Sequence, residues 1–150
     1  MEIERKFTIK TMPNLTAFPT KKIVQAYLNT DPVIRIRKEN EDYYLTYKGK
    51  GLLAREEYNL PLNKESFEHL LKKADGIIIS KTRYCIPYKN HTIELDIFED
   101  DLAPLVIAEV EFESEKEATA FTPPDWFLKD VTYDKRYHNS NLSTMKNLPL

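Results

Sequence analysis

The chain holds a single cysteine, Cys85, in 150 residues. No intrachain disulfide can form and no thiolate metal cluster can assemble, so Cys85 reads as a reduced, buried thiol. Glycine is scarce too, at three residues, and Gly49-Lys50-Gly51 lacks the strand-to-helix setting of a phosphate-cradling loop. No apolar run approaches membrane-spanning length, and the N-terminus carries glutamates where a signal peptide would carry an apolar stretch. Net charge is −2, so no basic excess draws nucleic acid or an acidic membrane surface. No Ser/His/Asp or Cys/His set stands out. His69 falls on a helix, His91 on a turn and His138 in the tail, and each reads as a surface or cap residue. The expectation is a soluble cytoplasmic protein with neither nucleic acid nor membrane as partner. A homodimer is left open.

What is present is charge, aromatics and alternation. The chain is 41% apolar and 31% charged, with nine Tyr, seven Phe and one Trp, which excludes disorder. Period-two patterning predicts eight strands: Glu2 to Ile9, Lys22 to Asn29, Val33 to Glu39, Asp42 to Lys48, Ala54 to Leu60, Ile77 to Pro87, His91 to Phe98 and Leu105 to Glu113. One helix is predicted from Asn63 as cap, with Phe67, Leu70, Leu71 and Ala74 on one face and Gly76 as the stop. A second starts near Ser114, and the mixed tail from Asp125 packs back. These elements predict a single α+β domain over 1–150, an antiparallel β-barrel with a few helices outside.

The strands share an unusual feature. Glu2/Glu4, Arg35/Arg37, Lys81/Arg83, Glu94/Asp96 and Glu109/Glu111 are like-charged pairs at i and i+2, on the face opposite the Ile, Leu and Val residues. Any one strand of this kind reads as a half-buried sheet with its charges in water. Their recurrence favours the inverse, a charged lumen with an apolar exterior on which helices pack. Unpaired buried charges are costly, so such a lumen needs contents. Lys6, Arg35, Arg37, Lys48, Lys81 and Arg83 suit a polyanion. Glu2, Glu4, Glu57, Glu94, Asp96, Glu109 and Glu111 suit a hard divalent cation such as Mg²⁺ or Mn²⁺.

Glu2-Ile3-Glu4-Arg5-Lys6 resembles the ExExK signature of the CYTH domain, the triphosphate tunnel metalloenzymes. Gln25-Ala26-Tyr27-Leu28, Arg35-Ile36-Arg37, Leu45-Thr46-Tyr47-Lys48, Lys81-Thr82-Arg83-Tyr84, Glu94-Leu95-Asp96 and Ala108-Glu109-Val110-Glu111 follow in the family's order. The tail Val131 to Tyr137 and Asn139 to Leu142 is similar as well. The resemblance implies an eight-stranded antiparallel tunnel that hydrolyses inorganic triphosphate to pyrophosphate and phosphate. It implies phosphate contacts from Arg35, Arg37, Lys48, Lys81 and Arg83, and metal ligands Glu2, Glu4, Asp96, Glu109 and Glu111 for Mg²⁺ or Mn²⁺. Lys6 would lie near the attacked phosphate, and Lys81 with Tyr27 would act on the water. Asn59, where members often carry an acid, puts a metal role for the Glu57 strand in question. The alternatives are a nucleoside triphosphatase or adenylyl cyclase acting on ATP, and a non-catalytic polyphosphate-binding module. The adenine-holding pocket that the cyclase needs has no mark in the sequence.

Overall fold

The structure, a computed structural model, describes residues 1–144, so 145–150 of the expected domain lie outside the described residues. In chain order the strands and helices are β1 (Glu2–Ile9), β2 (Thr20–Thr30), β3 (Val33–Glu39), β4 (Asp42–Lys48), β5 (Ala54–Arg55), β6 (Glu57–Leu62), α1 (Lys64–Leu71), β7 (Asp75–Tyr88), β8 (His91–Phe98), β9 (Val106–Phe112), α2 (Glu115–Ala120), β10 (Phe127–Asp130) and α3 (Asn139–Leu142). The fold is α+β, as the alternation predicts. Among the described residues no helix is long and apolar enough to cross a membrane.

All strands join one antiparallel sheet in the order β10-β1-β9-β8-β7-β2-β3-β4-β6, with β5 also on β1. The expected eight-stranded closed barrel is not what the ladder forms. The predicted strand from Ala54 to Leu60 breaks at Glu56, and only its first two residues reach β1, pairing Glu2 with Arg55 and Ile3 with Ala54. Further along, the same edge of β1 is taken by β10, which the tail's mixed sequence concealed. That leaves β6 as a free edge, with Tyr58 and Leu60 exposed.

The two faces of the curled sheet divide as the like-charged pairs imply. Outward, Phe7, Ile93, Leu95, Ala108, Val110 and Phe112 are covered by Ala118 and Phe121 of the α2 segment and by Phe127. Ala26 and Ile36 are covered by Phe67 of α1. Each fully buried Phe, Ile, Leu or Val among them contributes roughly 1.5–3 kcal/mol, so a large share of the apolar stabilisation lies outside the curl. Asn63 and Ser114 cap the two helices, accepting from the backbone N–H of Ser66 and Glu117. Arg5 is more than a surface residue. It lies over the Phe7 ring and donates to the Ala118 carbonyl and to Asp130, tying α2 and β10 to β1.

Inward, β3, β7, β8 and β9 are each apolar at one end and charged at the other. The apolar end, with Val33, Ile79, Phe98 and Ile107, is plugged by Val131, Tyr137 and Leu142 of the tail. Of the histidines, His69 is exposed as expected, whereas the other two are packed. His138 is buried within the plug, and His91 packs edge-on against Phe112 and Phe121. Gly76 does not stop α1, which is capped at Lys72. Instead it takes φ +70° at the start of β7, where a Cβ would lie 2.3 Å from the Ser143 carbonyl oxygen. That carbonyl accepts from the Ile77 N–H at 2.8 Å. Gly76→Ala should therefore loosen the plug, costing about 1–2 kcal/mol from the left-handed backbone alone. A thermal melt unchanged from wild type would contradict this reading.

Candidate active site

The curled sheet encloses a cavity of about 340 Å³. Glu2, Glu4 and Lys6 from β1 line it, with Arg35 and Arg37 from β3, Lys48 from β4, Glu57 from β6, Arg83 from β7, Glu94 from β8, and Glu109 and Glu111 from β9. Alternate residues of neighbouring strands share a face, so antiparallel register alone converges them. Lys6 lies directly opposite Glu109, Glu4 opposite Glu111 and Lys48 opposite Glu57. Of the residues singled out in the sequence, Lys81 and Asp96 are not on the wall. Both are fully buried behind it.

The charges sort into engaged and unengaged groups. The Asp96 carboxylate takes Lys81 Nζ at 2.6 Å and the Arg83 fork at 2.7 and 2.9 Å, so both oxygens are committed. Lys48 Nζ bridges Glu2 at 3.0 Å and Glu57 at 3.2 Å, and Lys6 Nζ lies 3.6 Å from Glu109. Among the described residues Arg35 and Arg37 have no carboxylate partner. Arg35 donates to the Thr46 hydroxyl at 3.1 Å, while its buried Nε has no hydrogen-bond partner among the described residues. An unpaired donor on a buried cation is expensive, and an anion placed beside it removes the cost. Arg37 sends Nε and Nη2 to Gln25.

The pKa shifts divide the cavity into two regions. Burial, then the neighbouring Arg35 and Arg83, pulls Arg37 down to about 10, so this wall holds surplus positive charge. Burial pushes the Glu4 carboxyl well above the usual carboxylate range, and Glu109 and Glu2 push the same way. Glu111 is raised by burial and by Glu2, Glu57 and Glu94. Burial also acts against ionised Glu109, but Lys6, Arg83 and Lys81 outweigh it and hold that carboxyl well below its usual range. Lys81 is pulled by burial to about 8, although Asp96 opposes the shift.

The acidic wall has the donor chemistry of a hard divalent cation, with oxygen ligands only, and its Glu4 and Glu111 are crowded by other carboxylates. Among the described residues no three His, Cys, Asp or Glu converge closely enough to hold a metal as they stand. Glu2, Glu4, Glu109 and Glu111 are the acids of that wall, and Asp96 is occupied elsewhere.

The CYTH domain family matches residues 1–147. The chain belongs to the CYTH family. Over 149 residues it is 42% identical to an inorganic triphosphatase of Nitrosomonas europaea, covering 95% of this chain and 96% of that one. Over 148 residues it is 36% identical to an inorganic triphosphatase of Acetivibrio thermocellus, covering 94% and 92%. A crystal structure of an inorganic triphosphatase superposes with a TM-score of 0.72 at 38% identity, over 97% of this chain and 95% of that one. The overall fold therefore has a counterpart among solved structures. Membership carries the family's metal dependence without selecting Mg²⁺ or Mn²⁺.

Reading the sequence missed Gln25, Arg55, Asn139 and Ser140. Gln25 carries a usable signal, since it shares the inner face with Tyr27 and pairs across the ladder with Arg37. Arg55 sits 3.9 Å from Glu2 on the two-residue β5. Asn139 and Ser140 reach the cavity from a single helical turn that has no periodicity to read, and Asn139 accepts from Lys81 at 3.3 Å.

The crowding of the acids has a measurable sign. The folded-state carboxyl of Glu4 lies above its ordinary 4.5, so the folded protein holds this proton where the unfolded chain has released it. Its contribution to stability is present below pH 4.5 and is lost as pH rises through the raised value. Glu4→Gln should match wild type near pH 4.5 and melt at higher temperature than wild type at pH 8, in metal-free buffer. Equal melting at pH 8 would mean that Glu4 is not strained.

Proposed function

We propose that this chain hydrolyses inorganic triphosphate to pyrophosphate and phosphate, with the substrate on the arginine wall and a divalent cation on the acidic wall. It is a triphosphatase, in keeping with relatives that match it end to end. The single observation that carries the placement is the pair of inward arginines, Arg35 and Arg37, that lack a carboxylate partner among the described residues, with Arg35 Nε unpaired there too. A compact polyanion satisfies both. The non-catalytic polyphosphate-binding reading is set aside because the relatives that match end to end are inorganic triphosphatases. The nucleoside reading draws no support either, since apart from Tyr27, Val33 and Tyr44 the lining is charged or polar.

In this reading Arg35, Arg37 and Arg83 hold phosphate oxygens and neutralise the charge that spreads over them during in-line attack. Lys48 and Lys6 now neutralise Glu2, Glu57 and Glu109, and turn to phosphate when those acids are otherwise engaged. Glu2, Glu4, Glu109 and Glu111 would hold Mg²⁺ or Mn²⁺, with Glu57 and Glu94 at the margin. Bound there, the cation supplies charge neutralisation and a more acidic attacking water. Asp96 is assigned to fixing the Arg83 fork and Lys81 rather than to the metal. Lys81, behind the wall, would act indirectly, by holding Asp96 and Asn139 in place. We take residues 1–150 as one domain at work in the cytoplasm on a small-molecule substrate.

Purified protein should release phosphate from tripolyphosphate with Mg²⁺ or Mn²⁺ and stop on chelation. Arg35→Met should lower kcat/KM roughly 10- to 100-fold, the range for losing hydrogen bonds to a charged group. Preferential turnover of ATP, or full activity in Arg35→Met, would overturn the assignment.

A further inference from the structure

Gln25 lies two residues before Tyr27 on β2, fully buried, and pairs with Arg37 across the β2/β3 ladder. Arg37 donates to Gln25 Oε1 from Nε at 2.9 Å and from Nη2 at 2.6 Å. At the other end of the amide, Gln25 Nε2 donates to the Tyr27 hydroxyl at 3.2 Å. The orientation of a buried amide is often ambiguous, but chemistry settles it here. A guanidinium has donors and no acceptor, so the amide oxygen must face Arg37 and the amide nitrogen must face Tyr27.

Donation therefore runs one way, from Arg37 to Gln25 to Tyr27. With its oxygen accepting from Gln25, Tyr27 must aim its own O–H elsewhere. Tyr27 lines the cavity, and no other group among the described residues takes that proton in a hydrogen bond. Non-bridging phosphate oxygens accept hydrogen bonds. We infer that Gln25 is a positioning residue that fixes Tyr27 as a hydrogen-bond donor to a triphosphate oxygen, rather than as an acceptor for the proton of the attacking water. The inference rests on the triphosphatase reading above. The same amide anchors two nitrogens of Arg37, leaving Nη1 for the substrate.

The test is to reverse the polarity of this one link while keeping its shape. In Q25E the new carboxylate still accepts from Arg37 but draws the Tyr27 O–H toward itself and away from the cavity. Tripolyphosphate turnover with Mg²⁺ is measured for wild type, Q25E, Y27F and the double variant, and tripolyphosphate binding in chelator is followed by calorimetry. Q25E and Y27F should each lower kcat/KM roughly 10- to 100-fold, as for a lost hydrogen bond to a charged group. The double variant should be no worse than Y27F alone. Wild-type activity in folded Q25E, or losses that multiply, overturns the inference. Should Q25E fail to fold, Q25L removes both links, and Y27F made in that background should cost less than it does in wild type. An undiminished Y27F loss there also overturns it. A wild-type protein that neither binds nor hydrolyses tripolyphosphate overturns the triphosphatase reading itself, before any substitution is compared.

Discussion

Every ion on the inner face of this sheet must find an opposite charge or a ligand, and the rest of the structure follows from that constraint. A lone buried ion loses several kcal/mol to desolvation, more than one surface pair could return. The fold answers with a web in which Asp96 holds Lys81 and Arg83, Lys48 spans Glu2 and Glu57, and Lys6 faces Glu109. Because the charges take the inside of the curl, the apolar faces must be dried from without. Hence α1 and α2 lie on the outer surface, and the main aromatic cluster of Phe7, Phe112, Phe121 and Phe127 lies there too.

The compensation is uneven, and the unevenness is what gives the cavity its chemistry. Glu109 and Asp96 are firmly ionised, stabilised by the cations around them. Glu4 and Arg37 sit at opposite extremes, each crowded by its own sign. A cavity with surplus negative charge on one wall and surplus positive charge on the other is matched to a ligand that brings both signs together. A triphosphate carrying a divalent cation is such a ligand.

How much of this could be read in advance follows from the range of the interactions. The inward turn of the charges was legible because alternation is local, and Glu2/Glu4 or Arg35/Arg37 at i and i+2 declare a face unaided. The depth of a residue is not local. Lys81 and Arg83 have the same spacing, yet one lies behind the wall and the other on it, because Asp96 and Asn139 meet Lys81 from distant segments. Closure was misjudged for the same reason. The pairing of β10 with β1, joining Phe7 to Asp130, has no trace in either segment alone. His138 reads as a surface or cap residue from the general habit of histidines, whereas the plug buries it and pulls its pKa to about 4, through burial first and then the nearby Lys6.

The seam between β1 and the tail also joins segments far apart in the chain. The Lys6 N–H donates to the Thr132 hydroxyl at 3.0 Å, and the Val131 N–H donates to the Lys6 carbonyl at 2.9 Å. Contacts of this range form late in folding, because the entropy of closing the loop between them must be met first. Lys6 carries its side chain into the cavity from this seam. The cavity therefore takes its final shape only with closure of the whole fold, and no local unit of the chain assembles it.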